Sequence, residues 1–337
     1  MSHALVRVSP EASLADIPVQ DCTSDFPLET LRAHEDRLHN LMDDATRHVP
    51  RAALRQLDTI SRRWLKKWDN AYLAEIDAIA ANINRPGAMF FSINYEWGCT
   101  CRVAPSPDGK TARLVRVLDW KTKGLGRNVV AARVAGKAGA YTALTWPGYT
   151  GVLTASAPGR FAAALNQAPM RKPIGMFYLD WAANRRRVWT MPHQMPAHLL
   201  RQVFETAANF DDARTMLIER PVSTPAIFSL AGVKPSETCV IERNETEAKV
   251  HDGPNVAANH WQAVGWHGAP RGTDSAGRAC QMHAVEAEFD LAMPWLKAPV
   301  LNPTTRIVMV ADAAQGRLIA QGYENSAPAT KVLELTA

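Results

Sequence analysis

The residues of this chain best suited to chemistry lie around Cys99. Cys99 is followed by Thr100 and by a strand–turn–strand pattern whose far end carries Arg116 and Asp119. A free thiol titrates near ~8.5 and needs a neighbouring positive charge or base to attack at neutral pH. Because a hairpin returns its second strand beside its first, Arg116 could supply that charge and Asp119 a hydrogen-bond acceptor. Taken alone, the same residues also fit an inert buried cysteine and a solvated strand charge.

The hairpin is predicted from turn chemistry and strand pattern. Ser106-Pro107-Asp108-Gly109 is a turn signal. Short strands are predicted at 89–95 and 101–104 before it, and a returning strand rich in Val and Leu at 112–120 after it. These elements would place Cys99 and Arg116 on neighbouring strands.

The pattern of the rest of the chain predicts strands with helices between them. Further strands are predicted at 141–146, 151–155, 161–165, 226–230, 238–242, 247–250, 305–311 and 317–322. Helices are predicted at 198–209 and 211–219. Groups of strands flanking groups of helices predict an α+β layered domain.

The N-terminal part has a different pattern. Residues 1 to about 45 are polar with several helix breakers, and predict an extended or loosely packed arm. Between Pro50 and Asn84, apolar residues recur at three- and four-residue steps, which is typical of amphipathic helix. We expect the apolar stripe to pack against the strand-rich part of the chain that follows. The basic face allows the alternative that residues 50–75 touch an anionic lipid surface.

Composition limits the function classes. The 337 residues are 47% hydrophobic with a net charge of +5, and the scattered Lys and Arg do not form the basic stripe of a nucleic-acid binder. No apolar run is long enough to span a membrane and the N-terminus has no secretory pattern, so we expect a cytoplasmic protein. The five cysteines are expected to be free thiols, and no zinc-ligand spacing occurs, so we predict neither structural metal nor cofactor.

An ordered set of motifs gives this chain a family resemblance. Cys99-Thr100 is followed by Arg116-Val117-Leu118-Asp119-Trp120, and preceded by Phe91-x-Ile93-x-Tyr95-Glu96. This pattern resembles the acid ceramidase and N-acylethanolamine acid amidase family, within the choloylglycine hydrolase group of N-terminal-nucleophile (Ntn) hydrolases. The Leu-Asp-Trp version is similar to the bile-salt hydrolase branch.

The later motifs keep the order of that family over roughly residues 88 to 310. Gly148-Tyr149-Thr150-Gly151 leads to Leu165-Asn166, as in the family's strand before its Leu-Asn pair. Ala258-Asn259-His260-Trp261 stands in place of the Thr-Asn-aromatic element, and Asp274-Ser275-x-x-Arg278 resembles the Ser-x-x-Arg element.

Three positions depart from the family pattern. Cys101 is a second candidate nucleophile two residues after Cys99, although the Cys-Thr pair favours Cys99. Gln167 stands where acid ceramidase has Glu, so this chain offers an amide there in place of a carboxylate. Gly98 precedes the nucleophile where acid ceramidase usually has a larger apolar residue.

The resemblance implies a fold and a division of the chain. It implies an α+β Ntn-hydrolase fold, a four-layer αββα sandwich with an N-terminal helical segment. The chain would cut itself between Gly98 and Cys99. Residues 1–98 would become the small fragment and residues 99–337 the catalytic domain.

The resemblance also implies roles for the site residues. The freed α-amine of Cys99 would serve as general base for its own thiol, and Asp119 would hold that amine. Arg116 would favour the thiolate and help to bind substrate, Asn259 would donate to the oxyanion, and Arg278 would orient the site. Substrate contacts would come from Asn166, Trp120 and Tyr149. The alternatives are a turn cap for Asn259 and a structural ion pair for Arg278.

The implied reaction is hydrolysis of a linear N-acyl amide, with a fatty acyl group, such as a ceramide or an N-acylethanolamine. A bile-salt or penicillin-type acylase, or an acyltransferase, would use the same site with another pocket. A non-catalytic relative that binds lipid or a protein partner is the alternative from a different class. Acyl chain, amine, acceptor and oligomeric state are left open by the sequence.

Overall fold

The computed structural model describes residues 14–93 and 97–336. Its N-terminal part contains a short strand followed by five helices. These elements are β1 (Val19–Cys22), α1 (Phe26–Ala33), α2 (Glu35–Thr46), α3 (Arg51–Lys67), α4 (Leu73–Ile83) and α5 (Ala88–Ser92).

The remainder of the chain is dominated by strands. The first half comprises β2 (Trp97–Pro105), β3 (Ala112–Trp120), β4 (Val130–Gly136), β5 (Gly139–Thr145), β6 (Thr154–Ala157), β7 (Phe161–Gln167), α6 (Phe177–Thr190), α7 (Pro196–Thr206) and α8 (Phe210–Glu219). The second half comprises β8 (Ala226–Ala231), β9 (Thr238–Arg243), β10 (Ala248–Asp252), β11 (Asn255–Ala257), α9 (Ser275–His283), β12 (Thr305–Asp312), β13 (Arg317–Glu324), β14 (Ala327–Pro328) and β15 (Leu333–Thr336).

The predicted hairpin around Cys99 is present as β2 and β3. The two strands pair antiparallel with Gly98 opposite Asp119 and Cys101 opposite Arg116. At the turn, the Ser106 amide donates to the Thr111 carbonyl, and Gly109 adopts φ +69°, a conformation that glycine adopts without a side-chain clash. The sheet continues in the order β11-β2-β3-β12-β13-β14, and β15 also pairs with β13.

A second sheet, of eight strands, faces the first. Its order is β1-β4-β5-β6-β7-β8-β9-β10, and neighbouring strands are antiparallel except for the parallel pair β1 and β4. The inner faces of the two sheets meet through β2 and β3 against β7 and β8. The side chains of Cys99 and Cys101 lie in the core between the sheets because alternate residues of β2 face the same side.

Helices cover both outer faces. The eight-stranded sheet carries α7 and α8, while α9 packs on β2 and β11 of the other sheet. A separate apolar cluster, which includes Val115, Val117 and Met282, fills the space beneath α9. The predicted α+β class with an αββα arrangement is therefore confirmed.

The N-terminal region differs from the prediction in two places. The loosely packed arm is wrong for residues 26–46, where α1 and α2 bury Phe26, Leu31 and Leu41. The strand predicted at 89–95 is also wrong, since residues 88–92 form α5 and residues 94–96 lie outside the described residues. In both places tertiary packing outweighs a weak local pattern.

The predicted amphipathic helix is present as α3 and α4. Leu54, Trp64 and Leu65 on α3 are buried, which confirms that the apolar stripe packs inward. Among the described residues, no helix is both long enough and apolar enough to cross a bilayer.

Candidate active site

Hydrogen bonds converge on the backbone of Cys99 at the start of β2. The Cys99 amide donates to Oδ1 of Asn259 over 2.7 Å. Arg278 Nη1 donates to the Cys99 carbonyl and to Oγ1 of Thr100, each over 2.7 Å, and Nη2 donates to Oδ1 of Asn259 over 2.9 Å. Asn259 and Arg278 therefore fix the backbone on the C-terminal side of the predicted cleavage bond.

Local structure explains how Asn259 and Arg278 reach this point. Asn259 follows β11, which pairs with β2, and its amide donates to Oγ of Ser275 over 2.8 Å. Asp274 caps α9 by accepting from the Gly277 amide, so Arg278 lies in the first turn of that helix. The Asp-Ser-x-x-Arg motif therefore forms the start of a helix, and this start places Arg278 within hydrogen-bonding distance of the Cys99 carbonyl.

Asp119 lies beside the same bond, opposite Gly98. Its carboxylate accepts from Nδ2 of Asn302 over 3.0 Å and from Oγ1 of Thr305 over 2.8 Å, and lies 3.5 Å from Nη1 of Arg278. Burial raises the pKa of Asp119, while Arg278, Asn302 and Thr305 act to lower it. The carboxylate therefore has three partners that hold it at the start of β2.

The thiol of Cys99 points away from Asp119, into the space between the sheets. Its sulfur lies 3.9 Å from the Leu165 carbonyl, to which Arg116 Nη2 also donates over 2.9 Å. Burial raises the pKa of the Cys99 thiol to about 12, and the Arg116 charge only partly opposes this rise. In the intact chain the thiol is therefore neutral at physiological pH.

Arg116, Asn166 and Cys101 form a buried cluster next to that thiol. Arg116 Nη1 donates to Oδ1 of Asn166 and, over 3.3 Å, to the Cys101 sulfur, whose thiol lies 3.1 Å from the same Oδ1. Asn166 Nδ2 donates to the carbonyls of Ala257 and Ala258. The cluster ties β7 to β2, β3 and the end of β11.

The side-chain amide nitrogen of Asn259, predicted to donate to the oxyanion, bonds to a neighbouring strand in the intact chain. Its Nδ2 donates to the Gln167 carbonyl over 2.7 Å. The Gln167 side chain accepts from the Trp97 amide over 3.0 Å. Because an amide nitrogen carries two hydrogens, the bond to the Gln167 carbonyl leaves the second hydrogen of Asn259 Nδ2 for a substrate oxyanion.

The two predicted aromatic contacts fall at different distances from Cys99. Trp97 and Trp120 pack with ring centroids 5.0 Å apart, Trp120 and Trp146 5.6 Å apart, and Trp146 and Tyr149 6.1 Å apart. Trp120 borders the cleft at Gly98, whereas Tyr149 lies at the far end of this row. The structure thus brings Trp120, but not Tyr149, to the reactive junction.

An open cleft of about 310 Å³ reaches this junction. Its walls include Gly98, Asp119, Gln167 and Phe177. A second pocket adjoins it through Gln167, Met170 and Arg271, and contains Trp64, Trp181 and Trp189. A small molecule can therefore approach the bond between Gly98 and Cys99 from solvent.

The sequence does not identify the groups that hold Asp119 and Asn259 in place. Asn302 and Thr305 donate to the Asp119 carboxylate. Ser275 accepts from the Asn259 backbone amide, and the Gln167 carbonyl accepts from Nδ2 of Asn259. The Asn-Pro-Thr-Thr turn before β12 is the one local signal that could have indicated the first two. His260 contacts Oγ of Ser275 over 2.8 Å, and burial lowers its pKa.

The described residues contain no group of three or more His, Cys, Asp or Glu side chains arranged to hold a metal ion. Of the site residues predicted from sequence, Cys99, Asp119, Asn259 and Arg278 meet around one peptide bond. Arg116 and Asn166 lie beside the thiol.

Comparison with known proteins finds relatives over part of the chain. Acid ceramidase of Mus musculus is 24% identical over 187 residues, 52% of this chain and 46% of the mouse protein. N-acylethanolamine-hydrolyzing acid amidase of Caenorhabditis elegans is 28% identical over 169 residues, 50% of this chain and 45% of the worm protein. Acid ceramidase of Homo sapiens is 29% identical over 108 residues, 32% of this chain and 26% of the human protein. The chain thus matches between about a quarter and a half of these relatives.

Among solved structures, the C. elegans amidase ortholog has a TM-score of 0.48 at 23% identity, covering 63% of this chain and 92% of that one. Penicillin V acylase from Agrobacterium tumefaciens has a TM-score of 0.42 at 13% identity, covering 71% and 86%. No family model matches. The predicted resemblance to acid ceramidase and N-acylethanolamine acid amidase is confirmed: the chain is a homologue of both over about half its length.

Proposed function

We propose that this protein is a cysteine Ntn amidohydrolase that matures by cutting itself between Gly98 and Cys99 and then hydrolyses linear N-acyl amides. The observation that carries the proposal is the convergence of Asn259, Arg278 and Asp119 on that one peptide bond. The homology to acid ceramidase and N-acylethanolamine acid amidase supports the reaction class.

In the proposed maturation, the Cys99 sulfur attacks the Gly98 carbonyl carbon. A C–S bond forms, the C–N bond breaks, and the thiol proton ends on the departing nitrogen. Water then hydrolyses the thioester, which leaves a Gly98 carboxylate and a Cys99 that carries a free thiol and a free α-amine. Arg278 and Asn259 hold the Cys99 backbone on one side of this bond.

Cleavage supplies the base that the intact site lacks. A free α-amine has a pKa near ~7.7–8, so an appreciable fraction is neutral at neutral pH and can take the thiol proton. Asp119, held by Asn302 and Thr305, lies where it can orient that amine. Nucleophile and base then belong to one residue.

In turnover, the Cys99 sulfur attacks the substrate carbonyl and forms an acyl thioester, and the amine product leaves with a proton from the α-ammonium. Water hydrolyses the thioester and returns the free thiol. We assign the oxyanion donor to Asn259 Nδ2, through the hydrogen that does not bond to the Gln167 carbonyl. Arg116 remains beside the thiol and favours its charged form.

The proposed domain division follows from the cleavage. Residues 1–98 would become the small fragment and 99–337 the catalytic fragment. They would stay together because β1 pairs with β4 and Arg201 donates to Glu75 over 2.8 Å. We also propose a fatty-acyl substrate class, a role in lipid metabolism and a cytoplasmic location.

A lipid surface is a second proposed partner, at a different place from residues 50–75. Six of the twelve exposed large apolar side chains in the described chain lie between Ile174 and Trp181; Tyr178 is 83% and Phe177 64% exposed. Phe177 also borders the cleft at Gly98. Arg185 and Arg186 follow on α6, and this pairing of apolar and basic residues suits an anionic membrane interface.

Intact mass is the direct test. We expect purified wild type to split into two fragments with Cys99 at the new N-terminus, and Cys99→Ala to stay whole. The cleaved protein should hydrolyse N-acylethanolamines or ceramides. A wild-type chain that stays whole at neutral and acidic pH, with no thiol labelling, would instead support the non-catalytic binding protein.

A further inference from the structure

A chain of hydrogen bonds leads from His260 through Ser275 to Asn259. His260 directly follows Asn259 in the sequence, and Ser275 is the first residue of α9. The Asn259 backbone amide donates to Oγ of Ser275 over 2.8 Å, and the same Oγ lies 2.8 Å from Nδ1 of His260. Asn259 is fully buried and Ser275 is buried, so the bond between them is shielded from water.

The direction of the bond between Ser275 and His260 follows from the donors and acceptors of a hydroxyl. Oγ accepts from the Asn259 amide, and the single proton of the hydroxyl needs an acceptor of its own. Among the described contacts of Oγ, Nδ1 of His260 is the one group that can accept it. Burial lowers the pKa of His260, Arg278 acts in the same direction and Glu242 opposes them, so the ring is neutral at neutral pH and can accept.

The position of Asn259 matters on both sides of its side-chain amide. Its Oδ1 accepts from the Cys99 amide over 2.7 Å and from Nη2 of Arg278 over 2.9 Å. After cleavage the Cys99 nitrogen becomes the α-amine, so the same Oδ1 would orient the base. The second hydrogen of Nδ2 is the proposed oxyanion donor. Such a donor is effective only when it is held in place beforehand, so a shift of the Asn259 backbone would weaken both functions.

The Ser275 hydroxyl also joins two segments of the site. Asn259 follows β11, whereas Ser275 begins the helix that carries Arg278. The two segments meet again at Arg271, whose amide donates to the Asn259 carbonyl and whose carbonyl accepts from Arg278 Nη2, each over 3.1 Å. Because a hydroxyl rotates freely unless its proton is bound, His260 fixes the orientation in which Ser275 accepts from Asn259.

We propose that His260 is a positioning residue: by accepting the Ser275 hydroxyl proton, it holds Asn259 in the geometry that self-cleavage and turnover require. The inference rests on the proposed amidase function and adds a residue to it that does not react. The role needs an acceptor at Nδ1 and no proton transfer, so another neutral acceptor at the same place should replace it.

His260→Asn and His260→Leu separate the acceptor from the volume of the side chain. Oδ1 of asparagine is attached to Cγ, as Nδ1 of histidine is, so His260→Asn keeps an acceptor near Ser275 and His260→Leu keeps none. We expect His260→Leu to slow self-cleavage, followed by intact mass, and to lower kcat for dodecanoyl-ethanolamine about fivefold to fiftyfold with KM nearly unchanged. His260→Asn should recover most of this loss. His283→Leu, at the exposed end of α9, is the matched control and should behave like wild type.

Ser275→Ala tests whether His260 acts through the hydroxyl. Ser275→Ala should slow both reactions at least as much as His260→Leu does, and the double variant should lose little more, because both changes break one chain of hydrogen bonds. Losses that multiply in the double variant would overturn the proposal. If folded His260→Leu cleaves and turns over like wild type, the positioning role fails and the amidase function stands.

Nitrogen NMR of the uncleaved Cys99→Ala chain tests the hydrogen bond without any activity. At neutral pH we expect the proton of the His260 ring on Nε2, with Nδ1 bare, and a shift of the Nδ1 resonance in Cys99→Ala/Ser275→Ala. A proton on Nδ1 would overturn the proposal. If wild type neither cleaves nor hydrolyses the amide although Nδ1 is bare, the proposed function fails, and the positioning role fails with it.

Discussion

Gly98 and Gly272 pack backbone to backbone at the proposed cleavage bond. A Cβ on Gly98 would lie 3.3 Å from Cα of Gly272, and a Cβ on Gly272 would lie 3.4 Å from Cα of Gly98 and 2.9 Å from Nη2 of Arg278. Arg278 is held in turn by the carbonyls of Arg271 and Thr273. This contact explains why glycine replaces the larger residue expected before the nucleophile.

Gly272→Ala should therefore slow self-cleavage by displacing Arg278 from the Cys99 carbonyl. We expect a fall of about tenfold to a hundredfold, similar to the loss of one charge-assisted hydrogen bond. The rate is measured by intact mass over time after rapid purification.

Gly109→Ala is the matched control for backbone strain. Gly109 has the same φ of +69° as Gly272, but a Cβ there meets nothing within 4 Å. Both variants carry the cost of an L-residue in the left-handed region, about 1–2 kcal/mol, and Gly272→Ala adds the close contact with Arg278. If both slow cleavage equally, strain and not the contact with Arg278 is responsible.

Asn259 variants should separate positioning from oxyanion stabilisation. Asn259→Asp keeps an acceptor for the Cys99 amide but loses the Nδ2 donor, whereas Asn259→Ala loses both. We expect Asn259→Asp to cleave faster than Asn259→Ala, with turnover reduced ~10²–10³-fold in both. Cleavage by mass and turnover by product release give the two readouts, and full turnover in Asn259→Asp would contradict the oxyanion role.

The sequence predicts those parts of the site that are local in the chain. The hairpin that pairs Gly98 with Asp119 follows from one turn and two alternating strands, and the capped start of α9 follows from Asp274 and Ser275. Each depends on residues within about twenty-five positions, so pattern and turn chemistry suffice.

The sequence does not predict groups that meet only through sheet packing. Asn302 reaches Asp119 because β12 pairs with β3, and Gln167 reaches Asn259 because the two sheets stack. The sequence does not predict the helix α6 because its exposed apolar start gives no clean helical period. Such contacts depend on long-range pairing that a single sequence does not specify.

The two cysteines should differ in reactivity and in importance. Cys99→Ser should abolish or strongly slow maturation, whereas Cys101→Ser should cleave and retain activity within about tenfold, because a hydroxyl can replace the thiol that contacts Asn166. In Asn259→Ala purified before it has cleaved, iodoacetamide at pH 8 should modify Cys99 slowly, since burial raises its pKa to about 12. Peptide mapping identifies the labelled residue. If only Cys101 is labelled in the mature protein, Cys101 and not Cys99 is the nucleophile.

Glu75 should make stability fall as pH rises. Burial raises the pKa of Glu75 from 4.5 to about 7, with Arg201 opposing the rise, so the folded chain binds this proton more tightly than the unfolded chain. Stability from this group is fully present below pH ~4.5 and is lost as pH rises towards 7.

Urea denaturation of wild type and Glu75→Gln at both pH values measures this effect. Relative to Glu75→Gln, wild type should lose on the order of 3 kcal/mol of unfolding free energy between pH 4.5 and 7. Glu219→Gln, at an exposed helix end, is the control and should follow wild type. A wild-type curve parallel to that of Glu75→Gln would show that Glu75 titrates normally.

The proposed lipid contact can be located by exchanging exposed apolar side chains for serine. Tyr178→Ser and Phe177→Ser remove the two most exposed of the apolar residues at the start of α6, while Ile60→Ser removes a 43% exposed residue from the alternative surface within 50–75. In co-sedimentation with vesicles of phosphatidylcholine and phosphatidylglycerol, we expect the α6 double variant to lose most binding and Ile60→Ser to retain it. Burial of each ring in the interface contributes about 1.5–3 kcal/mol, so the double loss exceeds tenfold. Vesicle binding that depends on Ile60 instead would place the lipid contact on α3. Equal binding by all variants would show that electrostatic attraction alone accounts for vesicle binding.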